Sequence, residues 1–227
     1  MKSKQGKYFV GTILILVFAG VLLLSGCEEV QKEPTEKRIE IKAGNDDGGV
    51  VVLNSLLPNL TAGFLNGGVG TEEGTILGVI TAGENDVTSR ALYRFDISEW
   101  NNTADMVFHL KCLYRHGNPG MIDIYVVDDF GPLPSVQEAD PSDVSDIWNL
   151  SESGEKVGSI SPSAGEWFEI TISKSIIEVK KTSEGYLAFM IKLSDENIQT
   201  GNFYTFLNYE YAVSHNEHKP YLTKATL

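Results

Sequence analysis

Cys27 has the sequence context in which a cysteine thiol takes up a lipid. It follows Ser25 and Gly26 at the end of an uncharged apolar run from Tyr8 to Leu24, and three lysines precede that run. A cationic start, an apolar core and small residues at a processing site are typical of a secretory signal. We therefore predict that residues 1–26 are a lipoprotein signal peptide and that Cys27 becomes the lipidated first residue. An uncleaved anchor helix with an incidental cysteine is the alternative, although this run is at the lower limit of the roughly 20 residues that a spanning helix needs.

Both alternatives place the rest of the chain outside the cytoplasmic membrane, so we expect an extracytoplasmic protein that is lipid-anchored to the cell membrane or the outer envelope. Removal of the signal takes away three of the 18 basic residues and none of the 31 acidic ones, leaving 15 against 31 and a net charge of −16. Such a charge disfavours nucleic acid and anionic bilayer surfaces as partners. Membrane contact is then expected through the lipid only, while cations and neutral or acidic polysaccharides remain compatible.

Basic and aromatic side chains share the polar phase of three alternating segments. His109, Lys111 and Arg115 lie on that phase of "FHLKCLYR", Tyr125 on that phase of "IDIYVV", and Trp167 on that of "WFEITI". If the first two segments are antiparallel neighbours, their side chains form one mixed surface. Flat rings with a polar edge suit sugar rings, and basic groups suit carboxylated sugars. A solvated outer face explains the same pattern, and both interpretations stay open.

Acidic turns offer oxygen ligands for a hard cation. Asp46 and Asp47 in "AGNDDGG" are candidate calcium ligands, because Ca²⁺ takes several carboxylate and carbonyl oxygens. Asx-rich turns are also ordinary joints between strands, and the spacing is not that of an EF-hand. The sequence therefore predicts no cofactor and leaves a structural calcium open.

Sequence signatures of catalysis are missing. The chain has no nucleophile elbow, no phosphate-binding glycine loop and no metalloprotease helix motif. Its carboxylates are too many and too scattered to nominate a glycosidase pair. Cys112 alternates in phase with Phe108, Leu110 and Tyr114, which predicts a buried small apolar residue instead of a reactive thiol. We predict that the protein is not an enzyme.

Strands must position these side chains, because apolar residues alternate along most of the chain after the signal. The sets predicted to face a core are Ala91, Tyr93, Phe95 and Ile97, then Phe168, Ile170 and Ile172, then Leu187, Phe189, Ile191 and Leu193. The segments "NFYTFLNYEYA" and "KPYLTKATL" are predicted to be the closing strands. Loops rich in Gly, Asn, Asp and Pro separate the segments. We predict an all-β antiparallel sandwich of jelly-roll type over residues 39–227, after a charged linker at 27–38. The segment 142–150 could be a helical turn or an irregular loop.

Five segments in order resemble the DNRLRE domain family, also called disaggregatase-related domains. "SRALYRFDISEW" is similar to the family signature S-L-L-R-F-D-L-S, and "MVFHLKCLYR" to its A-T-L-R-L-Y strand. "IDIYVV", "GEWFEITIS" and "FLNYE" resemble its later elements, and "KPYL" follows as in the family. The similarity covers roughly residues 81–227. The family's D-W-x-E-x-x-x-T-W-N stretch is degenerate here, reduced to "SDVSDIWNL".

The resemblance implies a non-catalytic jelly-roll module of secreted and surface proteins, some members of which bind polysaccharides, including acidic ones. Arg94 and Glu210 match positions that recur in the family. Arg94 could bind a carboxylated sugar, or Arg94 and Glu210 could form a cross-strand ion pair, and we favour the ion pair. The sequence thus predicts a polysaccharide-binding lipoprotein module at the cell surface. The alternative is a structural or adhesion envelope lipoprotein whose sandwich binds another protein.

Overall fold

A computed structural model describes residues 37–53, 61–66, 74–82, 84–100, 104–134 and 141–225 of the chain. The residues from Glu36 to Leu227 cluster as one compact unit. Cys27 and the signal segment lie outside the described residues, so lipidation stays a prediction. Among the helices that are described, none is long and apolar enough to cross a membrane.

Strands dominate the described residues, and three helices accompany them. The strands are β1 (Ile39–Glu40), β2 (Asp47–Leu53), β3 (Thr61–Asn66), β4 (Thr75–Ala82), β5 (Asn85–Asp96), β6 (Met106–His116), β7 (Ile122–Val127), β8 (Glu155–Ile160), β9 (Trp167–Ile172), β10 (Tyr186–Leu193), β11 (Asn202–Phe206) and β12 (Tyr221–Lys224). The helices are α1 (Pro141–Ser153), α2 (Lys174–Lys180) and α3 (Tyr209–His215).

Two long strands, β5 and β6, organise the pairing, which is antiparallel throughout these elements. β5 pairs with β2 along one side, and with β4 and then β10 along the other. The sheet continues outward to β3 beyond β2, and to β7 and β8 beyond β10. β6 pairs with β9 on one side and with β11 and β12 on the other, and β1 extends this layer at β12. The β4–β11 pairing connects the two layers.

The core lies between the inner faces of these layers. Phe108 of β6 stacks on Phe189 of β10 with ring centroids 4.6 Å apart, and Phe95 of β5 meets both rings edge-on. The alternating set in β5 and the one in β10 are buried as predicted. The antiparallel sandwich-like all-β fold is therefore confirmed, while the jelly-roll connectivity stays a prediction.

The outer side of the β5–β10 layer is covered in part by α1. Leu92 and Met190, on the polar phase of their strands, pack there with Val144 and Ile147 of the helix. The segment 142–150 thus belongs to a helix. Because α1 covers this side, alternation alone does not separate buried from exposed residues in β5 and β10.

Two expectations about local structure are wrong. β7 pairs with β10 and β8, so it is not a neighbour of β6. The segment "NFYTFLNYEYA" is not a single strand either, since β11 ends at Phe206 and α3 begins at Tyr209. The Asn208 side chain starts this helix by accepting a hydrogen bond from the Tyr211 backbone N–H at 2.8 Å, which is the usual role of an asparagine at a helix N-cap.

Candidate functional site

The outer side of β6 carries a row of aromatic and histidine rings, which we call the aromatic strip. β6 supplies His109, Tyr114 and His116, and its neighbours β9, β11, β12 and α3 supply the other rings. The strip consists of His109, Tyr114, His116, Trp167, Phe203, Tyr211, His215 and Tyr221.

Trp167 and Tyr221 form one end of the strip. Their ring centroids are 5.4 Å apart and tilted by 54°, and the Arg38 guanidinium lies over the Tyr221 ring at 4.5 Å. Trp167 remains 37 % exposed. Two strands that flank β6 on opposite sides, β9 and β12, hold these rings, so the backbone pairing sets the distance between them.

His109 lies beneath this end and is held in place on three sides. Its ring stacks on Tyr221 at 4.3 Å, its Nδ1 lies 3.2 Å from Glu169 Oε1, and its Nε2 lies 2.8 Å from Thr223 Oγ1. With only 8 % of its surface exposed, His109 supports the Tyr221 ring. The sequence left His109 open as a candidate ligand or a solvated residue, and the structure gives it this supporting position instead.

Lys111 lies in the middle of the strip. It is directly opposite Trp167 in the β6–β9 ladder, and its Nζ pairs with Glu217 at 2.6 Å. Burial raises the pKa of Tyr211, and the neighbouring Tyr114 adds to this effect. The basic charge that the sequence predicted here is present, and it is largely neutralised by its partner.

The other end of the strip consists of stacked rings. His116 stacks on Phe203 with centroids 4.2 Å apart, and Tyr211 on His215 at 3.9 Å. Tyr114 is 50 % exposed beside them. Flat, partly exposed rings that are already packed against a neighbour lose little conformational entropy when a ligand binds.

Arg115 is not part of the strip, because β6 contains an irregularity. Cys112 pairs with Phe206 and Tyr114 with Thr205, so Leu113 is an extra residue in β6. Beyond it the alternation is reversed, and Arg115 lies opposite the buried Tyr204. Its Nη2 donates to Asn118 Oδ1 at 3.0 Å. The predicted position of Arg115 on the same surface as Lys111 is therefore wrong.

Tyr125 also lies elsewhere. It pairs with Met190 of β10 and packs against the apolar cluster beneath α1, with Lys192 Nζ 5.7 Å from its ring. The predicted surface shared by Tyr125 and β6 does not form, because β7 belongs to the other layer of the sandwich.

Arg94 has two carboxylate partners, and Glu210 is not one of them. Its Nε and Nη2 donate to the two oxygens of Asp129 at 2.7 and 3.1 Å, and its Nη1 donates to Asp46 Oδ1 at 3.1 Å. The Tyr186 ring lies 3.4 Å from the guanidinium carbon. The predicted Arg94–Glu210 ion pair is wrong, and Arg94 is a buried scaffold residue instead of an exposed ligand cation.

Sequence reasoning missed several rings of the strip. Tyr114 was predicted to lie on the core phase, which holds only up to the extra residue at Leu113. Tyr221 and Phe203 come from segments that were recognised as strands, but nothing local showed which strands would flank β6. Long-range pairing therefore determines which rings meet.

A scan of the chain against protein-family models finds no matching family, and a search of curated proteins finds no significant match. The resemblance to DNRLRE domains consequently stays a prediction. Among the described residues, no group of three or more His, Cys, Asp or Glu side chains lies close enough together to hold a metal ion between them. The aromatic strip is the arrangement with the clearest binding chemistry, because it offers ring faces together with hydrogen-bonding groups at their edges.

Proposed function

We propose that this protein is a non-catalytic polysaccharide-binding module, held at the cell surface by a lipid on Cys27, and that the aromatic strip is its binding face. The observation that carries the proposal is the row of partly exposed rings along one strand. From His109 to His116 an extended strand covers roughly 23 Å, which is long enough for several consecutive sugar rings. Aromatic faces combine apolar contact with polar edges, and sugars require both.

The charges along the strip favour a neutral polysaccharide over an acidic one. Lys111 is paired with Glu217, and His109 lies against Glu169. An anionic sugar would have to compete with these carboxylates in a protein that is strongly acidic overall. Stacking and neutral hydrogen bonds are then the main interactions.

Affinity electrophoresis in gels that contain one polysaccharide each tests the proposal. Retardation by a neutral glycan is expected, and either Trp167→Ala or Tyr221→Ala should weaken binding by about tenfold, which corresponds to the loss of roughly one ring contact. Tyr125→Ala is the matched control, because it removes an aromatic side chain that lies off the strip.

A protein with no retardation by any neutral or acidic glycan would contradict the proposal. Aromatic surfaces are also frequent in protein interfaces, so recovery of one partner protein that Trp167→Ala fails to bind would support the alternative of an adhesion lipoprotein. Circular dichroism of each variant shows whether the fold is retained.

The tether is tested separately. Cys27→Ala should abolish lipid labelling and signal cleavage at this position. If the variant is still cleaved and membrane-bound like the wild type, lipidation is not the anchor.

A further inference from the structure

Three buried oxygen atoms without a hydrogen-bond partner occur around the start of β2 and of α3. They are Asp47 Oδ1, Thr75 Oγ1 and Glu210 Oε2. In the described part of the chain the only other such atom is Trp100 Nε1. Buried polar groups are nearly always paired, so three oxygen atoms without a hydrogen-bond partner in one region require an explanation.

Asp47 lies on the inner side of its sheet. It is directly opposite Tyr93 in the β2–β5 ladder, and Tyr93 belongs to the main core. Asp47 is completely buried. Its second oxygen, Oδ2, accepts a hydrogen bond from the Tyr209 backbone N–H at 2.7 Å, which leaves Oδ1 unsatisfied.

Thr75 supplies a neutral oxygen in the same region. It is 1 % exposed, and its hydroxyl lies beside the Tyr93 phenol. This phenol also interacts electrostatically with Asp47. The Tyr93 hydroxyl itself donates to the Leu207 carbonyl at 3.1 Å. Thr75 and Asp47 therefore approach the same phenol from β4 and β2.

Glu210 supplies the third oxygen from the first turn of α3. It follows Tyr209, the residue whose N–H binds Asp47. The Glu210 carboxylate lies against Gly44, where a side-chain carbon would overlap Oε1. The absence of a side chain at residue 44 thus leaves room for this carboxylate.

Two carboxylates in such a place are electrostatically unfavourable by themselves. Asp47 is completely buried, and Glu210 Oε2 is buried without a hydrogen-bond partner. Leaving an isolated carboxylate in an apolar interior costs several kcal/mol unless something compensates its charge.

We propose that Asp47, Glu210 and Thr75 are the protein ligands of a structural calcium ion that ties α3 to the start of β2. Ca²⁺ takes six to eight oxygen ligands of mixed kinds and tolerates irregular geometry. Carboxylate and hydroxyl oxygens are the donors that a hard cation prefers, whereas zinc and copper favour imidazole and thiolate. Backbone carbonyls or waters complete the shell.

A cation accounts for the three atoms better than a proton does. A proton shared by Asp47 and Glu210 would join two oxygens but compensate only one of the two charges. A divalent ion contacts all three and compensates both charges. Mg²⁺ fits less well, because it demands near-octahedral geometry and gives up its water reluctantly.

Thermal unfolding of the full-length protein, measured with EDTA and then with CaCl₂, tests the site. Ca²⁺ at a hundredfold excess over its Kd should raise Tm by roughly 5–10 °C, and an equal concentration of MgCl₂ should do so much less. Isothermal titration with CaCl₂ should give one site per chain. Asp47→Asn and Glu210→Gln should each remove most of the Ca²⁺-dependent rise.

Asp46→Asn is the matched control, because Asp46 is the neighbouring acidic residue and binds Arg94. Its Tm is expected to fall in EDTA, but the rise with Ca²⁺ should remain. The proposal is overturned if Ca²⁺ leaves the wild-type Tm unchanged. It is equally overturned if Asp47→Asn responds to Ca²⁺ as the wild type does.

Discussion

Asp46 and Asp47 are adjacent in the chain, yet their carboxylates are in opposite situations. Asp46 lies with Arg94 on the outer side of the sheet and accepts a hydrogen bond from its guanidinium. Asp47 points into the core and has an oxygen without any partner. Successive residues at a strand point to opposite faces. An acidic pair in a sequence therefore predicts two separate environments wherever it enters a strand.

The largest effect is expected when the Arg94 guanidinium, the partner of Asp46 on the outer side of the sheet, is removed. Arg94→Met leaves the half-buried Asp46 and Asp129 carboxylates without their guanidinium partner, which should lower the free energy of unfolding by about 3–5 kcal/mol. Urea denaturation measures the change. Lys42→Ala is the control, because Lys42 pairs with Asp96 at the surface and is 65 % exposed, and its effect should be far smaller. Equal urea midpoints for wild type and Arg94→Met would show that the pairing of Asp46 does not stabilise the fold, and the difference between Asp46 and Asp47 would then have no energetic meaning.

The direct test compares the two aspartates in the presence of chelator. Asp46→Asn loses a hydrogen bond between charged groups and should cost about 1.5–3 kcal/mol. Asp47→Asn retains an oxygen that can accept from the Tyr209 N–H and removes a buried charge that has no basic partner in the protein, so its stability should stay within about 1 kcal/mol of the wild type. Chemical denaturation of both variants measures the difference. Equal losses would show that the two sides of the sheet do not differ as described.

A third test asks whether the inner side is closed to solvent. Cys112 lies there, and burial raises the pKa of its thiol to about 11. At pH 8 its thiolate fraction should be roughly 100-fold below that of an ordinary cysteine. Iodoacetamide labelling followed by peptide mapping should therefore modify Cys112 slowly in the folded protein and rapidly in urea. Fast labelling without denaturant would mean that water reaches this side.

The smallest effect concerns a partly exposed carboxylate. Hydrogen bonds from Lys42 and then from Ser98 hold the pKa of Asp96 at about 2, below its unfolded value of about 3.9. Because the folded pKa is the lower one, this pair stabilises the fold above about pH 4 and loses its effect as the pH falls to about 2. In Lys42→Ala, ¹³C NMR titration should show the pKa of Asp96 rising toward 3.9. An unchanged titration would assign the shift to Ser98 alone.

Local patterns in the sequence correctly predicted the buried phases of β5 and β10, because alternation directly reflects which face meets the core. They could not predict that α1 covers the opposite face at Leu92, since apolar and polar residues do not alternate where a strand is buried on both sides. They also could not predict the extra residue at Leu113, and this one residue moves Arg115 to the other face of β6.

The composition of the candidate site depended on which strands are neighbours. Trp167 and Lys111 were predicted correctly as outward-facing residues, and they meet because β9 pairs with β6. Tyr221 joins them through β12. The assumption that segments adjacent in sequence pair with each other assigned Tyr125 to the wrong layer. In the same way, Arg94 and Glu210 were paired by motif position, whereas their real neighbours come from the turn before β2 and from the segment after β7.

The pairing of β6 has a consequence for how the chain acquires its structure. Every strand that pairs with β6 comes later in the sequence, and β12 ends at Lys224. The long apolar strand therefore has no partner until β9 is available, and its other side is complete only when β12 is. Pairings this distant in sequence slow folding. A chain cut before Tyr221 would keep an open edge at the middle of the sandwich, which invites association with other chains.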